Sequence, residues 1–189
     1  MKLLKQTKIL LIGASTGGPT EIEKIINSLP LLQNSAVVIA QHMPALFLEN
    51  FAKSLQKRTP NQLICIDKPT KFQKGKIYLC KESVVLNVKN FEFQEPIDRG
   101  FYNPDIEILF NSFIPLAREY AMIAVILTGI GNDGSRAVLK LSEQGARVLT
   151  EDANNSIVDG MPSAVRKNVP KAEAYSLKKI IEEIGVFCV

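Results

Sequence analysis

The sequence contains a single histidine, His42, no tryptophan and only three cysteines, Cys65, Cys80 and Cys188. Zinc sites need three or four His, Cys or carboxylate ligands at close spacing, and the cysteines are far apart without a C-x-x-C pattern. We therefore expect no metal and no cofactor, and three buried free thiols in apolar surroundings. Any imidazole general base in this chain must be His42.

The chain also lacks a long apolar run and a strong charge imbalance. No stretch approaches the roughly eighteen apolar residues of a membrane span, and residues 1–7 are too few and too charged for a signal peptide. The 23 Lys and Arg exceed the 19 Asp and Glu by only four, which is too little to indicate nucleic-acid binding. These absences predict a cytoplasmic protein that neither inserts into a membrane nor binds nucleic acid.

The composition is that of a folded globular domain. Hydrophobic residues make up 46% of the 189 residues and charged residues 22%, far from the polar composition of disordered chains. This length fits one domain best, and neither a repeat nor a low-complexity linker interrupts it. We expect a single domain over residues 1–189.

Short apolar runs alternate with helical patterns along most of the chain. Parallel strands buried on both faces have such continuous apolar runs, and strands that alternate with helices form parallel sheets. The predicted strands are 8–12, 36–40, 63–66, 121–127 and 147–150. Strand-like pieces at 76–80, 84–88 and 91–93 predict an antiparallel hairpin or meander. The expected fold class is α/β: a doubly wound, mostly parallel sheet with helices on both faces and an antiparallel hairpin insertion.

A G-x-S-x-G motif occupies residues 13–17, between the first predicted strand and the first predicted helix. In this context the glycines permit a tight turn, the Ser15 hydroxyl is presented above the sheet, and the Thr16 N–H can face an oxyanion. Small-residue turns after a first strand are common in doubly wound folds, so the motif alone does not establish a nucleophile.

Three polar residues, Ser15, His42 and Asp133, each follow a different predicted strand. Active crevices of open α/β sheets lie at the carboxyl ends of the strands, so these side chains can converge as nucleophile, base and orienter for acyl transfer. The glycine-rich loop 128–134 can add a second oxyanion donor, the Ile130 N–H. Two alternatives remain open: Asp133 can cap the helix that follows it, and His42 can be an ordinary polar loop residue.

Four motifs together resemble a known family. They are residues 13–19 (GASTGGP), 41–44 (QHMP), 127–134 (LTGIGNDG) and 160–162 (GMP). In this order and at similar spacing they resemble the catalytic domain of CheB-type chemotaxis methylesterases. The resemblance implies hydrolysis of glutamate methyl esters on the cytoplasmic helices of chemoreceptors, with deamidation of receptor glutamines. It also implies a parallel α/β sheet with an antiparallel hairpin near one edge, and catalysis by Ser15, His42 and Asp133.

The sequence departs from the family pattern in several places. Ile130 replaces a methionine, residues 78–83 lack an Ala-Pro-Gly stretch and a following histidine, and residues 101–105 lack Arg-Pro-Ser. Family members usually carry an N-terminal receiver domain, whereas the first predicted strand here begins at Lys8. We therefore expect a catalytic domain without a receiver domain, either cut from a longer chain or controlled by a separate regulator.

Two other functions compete with the serine hydrolase. A nucleotide- or phosphate-binding module would use residues 13–18 and a helix N-terminus to hold an anion, although neither G-x-G-x-x-G nor G-x-x-x-x-G-K-[ST] is present. An inert scaffold would retain the fold without activity. The segment 53–76 carries seven basic residues and one acidic residue, and it is either a surface that attracts glutamate-rich helices or an ordinary solvated face.

Overall fold

A computed structural model describes residues 7–189. Residues 1–6, which belong to the segment that we expect not to be a signal peptide, lie outside the described residues. The strands are β1 (Lys8–Ala14), β2 (Ser35–Gln41), β3 (Gln62–Ile66), β4 (Thr70–Lys71), β5 (Lys76–Cys80), β6 (Val85–Asn87), β7 (Glu92–Gln94), β8 (Met122–Ile126), β9 (Arg147–Glu151) and β10 (Glu173–Tyr175). The helices are α1 (Gly18–Ser28), α2 (Ala45–Gln56), α3 (Ile106–Phe113), α4 (Ser135–Glu143), α5 (Gly160–Asn168) and α6 (Leu177–Cys188).

Seven strands form one parallel sheet in the order β10-β9-β8-β1-β2-β5-β3. Every residue of β2 and β8 is buried, because helices cover both faces of the sheet. Alternate residues of β1 enter different cores: Leu10 and Ile12 pack with α1, α2 and α6, whereas Ile9 and Leu11 pack with α3, α4 and α5. The predicted doubly wound α/β fold is confirmed.

The order of the strands reverses at β1, which lies between β2 and β8. The register places Ala14 beside Gln41, and Gly13 beside Ile126. The carboxyl ends of these three strands therefore meet at one edge of the sheet. In doubly wound folds such a switch point opens a crevice that holds the functional site.

A three-stranded antiparallel sheet, β4-β7-β6, forms the insertion. Phe93 of β7 is fully buried and packs among Phe72, Tyr78 and Phe113, which attaches the insertion to the α3 side of the core. The insertion is confirmed, but the assignment of residues 76–80 to it is wrong. This segment is β5, a parallel strand between β2 and β3, and four of its five residues are buried because it is paired on both sides.

The thiols differ in exposure. Cys80 and Cys188 are buried as expected, whereas Cys65 is only partly buried because β3 is the edge strand of the sheet. All three are free. Within residues 7–189, no helix is long and apolar enough to cross a membrane.

Candidate active site

Ser15 lies directly after β1, in the turn that leads into α1. Its N–H donates to the Thr128 carbonyl (3.0 Å), and its carbonyl accepts from the Gly18 N–H (2.9 Å) and from Gln41 Nε2 (2.8 Å). Gly17 precedes α1 with a φ of 88°, a left-handed conformation that glycine adopts without strain. The backbone of Ser15 is thus fixed by its own turn and by both neighbouring strands.

His42 extends the ladder between β1 and β2 by one residue, because its N–H donates to the Ala14 carbonyl (2.9 Å). Since Ala14 pairs with Gln41, Ser15 and His42 are the next residues on adjacent strands, whose backbones lie about 4.8 Å apart. Among the described residues the Ser15 hydroxyl forms no hydrogen bond, so in this structure it does not contact the imidazole nitrogens. Such contacts are often long without substrate.

The Asp133 carboxylate accepts three hydrogen bonds from two different elements. Its Oδ2 accepts from His42 Nε2 (2.7 Å) and the Ile106 N–H (2.8 Å), and its Oδ1 accepts from the Glu107 N–H (2.9 Å). The Asp133 side chain is only 2% exposed. Because Nε2 donates to Asp133, the neutral imidazole presents Nδ1 as its proton acceptor.

The alternative in which Asp133 caps the following helix is wrong for α4. That helix begins after Gly134, whose φ is 82°, and no side chain caps it. Asp133 instead binds the first N–H groups of α3, which have no acceptor within that helix and carry the positive end of its dipole. Asp133 therefore accepts hydrogen bonds at the N-terminus of α3, a helix that precedes it in the chain.

Tyr102 is a site residue that the sequence analysis missed. Its ring stacks on the His42 imidazole with centroids 4.6 Å apart and planes inclined by 7°. The hydroxyl of Ser83 donates to the Tyr102 carbonyl (3.2 Å), and the Ser83 N–H donates to the side chain of Asn103 (2.7 Å). The segments that depart from the family pattern, 78–83 and 101–105, thus contact each other and hold the ring against His42.

Gly129 brings the 128–134 loop against Ser15. A Cβ on Gly129 would lie 2.6 Å from the Ser15 Cβ and would also overlap Met161 Sδ, so a larger residue would displace the loop. Within the described part of the chain, the N–H groups of Thr16 and Ile130 bind no acceptor. That these two N–H groups face an oxyanion stays a prediction.

Thr128 joins the loop to the turn after β1. Its hydroxyl donates to the Thr16 carbonyl (2.9 Å) and accepts from the Val158 N–H (2.8 Å), while its own N–H donates to Glu151 Oε2 (2.8 Å). Together with the Ser15 N–H on its carbonyl, these bonds use every polar group of Thr128. Thr128 therefore fixes the position of the loop relative to Ser15 and Thr16.

The surroundings of the site are of mixed charge. A cavity of 270 Å³ adjoins Tyr102 and has Lys68, Lys81 and Arg99 beside Asp67, Glu82 and Glu95 in its wall. Two of the seven basic residues of segment 53–76 are paired with carboxylates, Arg58 with Glu23 and Lys71 with Glu92. Over the range 7–189, no three His, Cys, Asp or Glu side chains are grouped so that they could hold a metal ion.

Comparison with known proteins identifies the family. The profile described as CheB methylesterase matches residues 10–184. The chain belongs to the CheB methylesterase family. The structure is similar to the crystal structure of the Thermotoga maritima CheB methylesterase catalytic domain, with a TM-score of 0.83 and 27% identity over 94% of this chain and 97% of that one.

Curated relatives of this CheB-family chain bear the name protein-glutamate methylesterase/protein-glutamine glutaminase. The Saccharophagus degradans protein is 32% identical over 97% of this chain and 54% of its own length. The Carboxydothermus hydrogenoformans protein is 28% identical over 94% of this chain and 52% of its own length. The chain thus spans about half the length of the curated relatives it matches.

The three bonds to Asp133 predict a large cost for its removal. Asp133→Ala leaves the N–H groups at the start of α3 without their acceptor in a buried site, and we expect the free energy of unfolding to fall by roughly 2–5 kcal/mol. Urea denaturation measures this change. Glu143→Ala, an exposed carboxylate on α4, is the control and should change stability by less than about 0.5 kcal/mol. Equal stability of the two variants would show that Asp133 does not support α3.

Proposed function

We propose that this protein is a serine hydrolase that removes methyl esters from glutamate residues of chemoreceptors and deamidates receptor glutamines during chemotactic adaptation. The observation that carries the proposal is the hydrogen bond between the buried Asp133 carboxylate and the His42 imidazole, with Ser15 at the end of the adjacent strand. The names of the curated relatives support the same reaction. We place this activity in the cytoplasm, where the proposed receptor segments lie.

The proposed reaction proceeds through an acyl-enzyme. His42 Nδ1 takes the proton of the Ser15 hydroxyl as its oxygen attacks the ester or amide carbonyl, and Asp133 stabilises the resulting imidazolium through Nε2. The tetrahedral oxyanion lies between the N–H groups of Thr16 and Ile130. His42 then returns the proton to the leaving group, which departs as methanol or ammonia. A water molecule, deprotonated by His42, hydrolyses the acyl-enzyme to the glutamate carboxylate and restores Ser15.

A protein substrate suits the surface around the site. Three large apolar side chains near it, Phe101, Ile130 and Ile157, are exposed, and such residues contribute to protein recognition. We propose that they contact the cytoplasmic helices of a receptor while one glutamate or glutamine side chain reaches Ser15. Residues 7–189, which share one central sheet, would act as a single catalytic unit in this reaction.

The phosphate-binding alternative has less support. An anion at the start of α1 needs free N–H groups, but the Gly18 N–H already donates to the Ser15 carbonyl. The next residue, Pro19, has no N–H at all. Of the first two residues of α1, one therefore donates to Ser15 and the other has no N–H to offer an anion.

Methanol release from methylated receptor membranes tests the proposed reaction. Ser15→Ala removes the nucleophile and His42→Gln removes the base, and each should lower the rate by about 10⁴-fold or more. Ser142→Ala, a serine on α4, is the matched control and should retain the normal rate. Circular dichroism verifies that all three variants fold. Methanol release at the normal rate from the Ser15→Ala protein would refute the mechanism.

We expect Tyr102 to contribute to catalysis through its aromatic ring and not through its hydroxyl. Tyr102→Ala removes the surface that orients the neutral imidazole and stabilises the imidazolium, so we expect kcat/KM to fall about 2- to 12-fold, equivalent to about 0.5–1.5 kcal/mol. Tyr102→Phe keeps the stacked ring and should stay close to the unmodified enzyme. The stacking role is wrong if the alanine and phenylalanine variants hydrolyse the ester equally fast.

A further inference from the structure

Two carboxyl groups lie inside the protein beneath the candidate active site. Glu21 of α1 is 3% exposed, and Glu151, the last residue of β9, is completely buried. The two groups lie within hydrogen-bonding reach of each other. In the described part of the chain, Glu21 Oε2 and Glu151 Oε1 are buried and receive no hydrogen bond from a donor. Glutamates this deeply buried are rare unless their charge is compensated.

The surrounding charges do not compensate two carboxylates. Lys24, one turn further along α1, is the cation that acts on Glu21, while Asp152 and Asp159 add negative charge near Glu151. Arg166 is nearby, but its guanidinium binds the Asp159 carboxylate (2.6 Å) and the backbone carbonyl of Glu151 (2.6 Å). Two adjacent negative charges in this setting are unfavourable, and a proton held between the carboxyl groups removes one of them.

The acidities of the two groups agree with this geometry. Burial, and next the repulsion by Glu151, raise the pKa of Glu21 from 4.5 to about 8. Burial also raises the pKa of Glu151. The pKa of Glu21 thus lies above neutral pH, so this carboxyl group keeps its proton there.

The pair is connected to the candidate catalytic turn through a single residue. Glu151 Oε2 accepts from the Thr128 N–H at 2.8 Å. The carbonyl of Thr128 accepts from the Ser15 N–H at 3.0 Å, and its hydroxyl donates to the Thr16 carbonyl at 2.9 Å. A displacement of the Glu151 carboxylate would thus move both Thr128 groups, the carbonyl that accepts from Ser15 and the hydroxyl that donates to Thr16.

We propose that Glu21 and Glu151 form a proton-sharing carboxyl pair that positions Thr128, and through it the Ser15–Thr16 turn, so that hydrolysis requires one buried proton. This inference rests on the proposed function, and both glutamates are positioning residues because neither reaches the substrate. Loss of the shared proton to solvent at alkaline pH leaves two adjacent carboxylates that repel each other. Glu151 then moves away from Glu21 and draws the Thr128 loop from its catalytic position.

The pH profile of ester hydrolysis tests this role. For a proton lost near pH 8, kcat should fall roughly tenfold between about pH 7 and about pH 9. Glu21→Gln replaces the shared proton with an amide N–H that does not titrate, so the variant should keep its neutral rate and lose this alkaline decline. Glu23→Gln, a carboxylate on the same helix that pairs with Arg58 at the surface, is the matched control and should retain the normal profile.

Two variants of Glu151 separate its positioning role from its charge. Glu151→Ala removes the acceptor of the Thr128 N–H, so its rate should fall at every pH, whereas Glu151→Gln keeps an acceptor oxygen and should restore most of the neutral rate. An alkaline decline that persists unchanged in the Glu21→Gln enzyme would overturn the proposal.

A measurement without substrate distinguishes failure of the pair from failure of the proposed activity. In the unmodified protein, carbon-13 NMR of the glutamate carboxyl groups should show a carboxyl that titrates near pH 8, and the Ser15 and Thr128 amide resonances should shift with the same midpoint. This result without any ester hydrolysis would refute the proposed function and retain the pair. If every glutamate titrates below about pH 6, the pair is refuted whatever the activity is.

Discussion

The structure around the site depends on the buried carboxylate of Asp133. A carboxylate excluded from water must receive hydrogen bonds, and here the donors come from the start of α3 and from the imidazole at the end of β2. One side chain therefore fixes the position of a helix on one face of the sheet and the orientation of His42. Because His42 and the first N–H groups of α3 donate to the same carboxylate, the geometry of the site is coupled to the packing of α3 against the sheet.

The sequence predicted the parts of the fold that local chemistry determines. The continuous apolar runs at β1, β2 and β8 indicated parallel strands buried on both faces, and the polar residues after such strands were expected at one edge. The run at β5 has the same character, but its pairing with β2 and β3 involves strands distant in sequence, so it was assigned to the antiparallel insertion. The two- and three-residue strands β4 and β10 are too short to carry a periodic pattern.

The parts of the candidate site that lie at strand ends could also be predicted from the sequence. Adjacent parallel strands bring Ser15 and His42 together whenever their ends are in register, whereas the close approach of Gly129 to Ser15 depends on a loop more than 100 residues away in the sequence. The stacking of Tyr102 on His42 was not predictable, because no local rule connects a loop before α3 with the end of β2. The role of Asp133 at α3 was missed for a related reason: the helix it supports begins at Ile106, 27 residues earlier in the sequence.

The buried carboxyl pair behind the site lowers the stability of the folded protein as the pH rises. The unfolded chain loses the proton of Glu21 near pH 4.5, whereas the folded protein keeps it up to about pH 8. Between these values the folded state binds more protons, so this group makes the protein less stable as the pH rises, by up to about 1.4 kcal/mol per pH unit. A neutral or apolar pair would avoid this cost. Residues that reduce stability in this way concentrate where a site needs them, and the direct bond from Glu151 to Thr128 places this cost at the turn that holds Ser15.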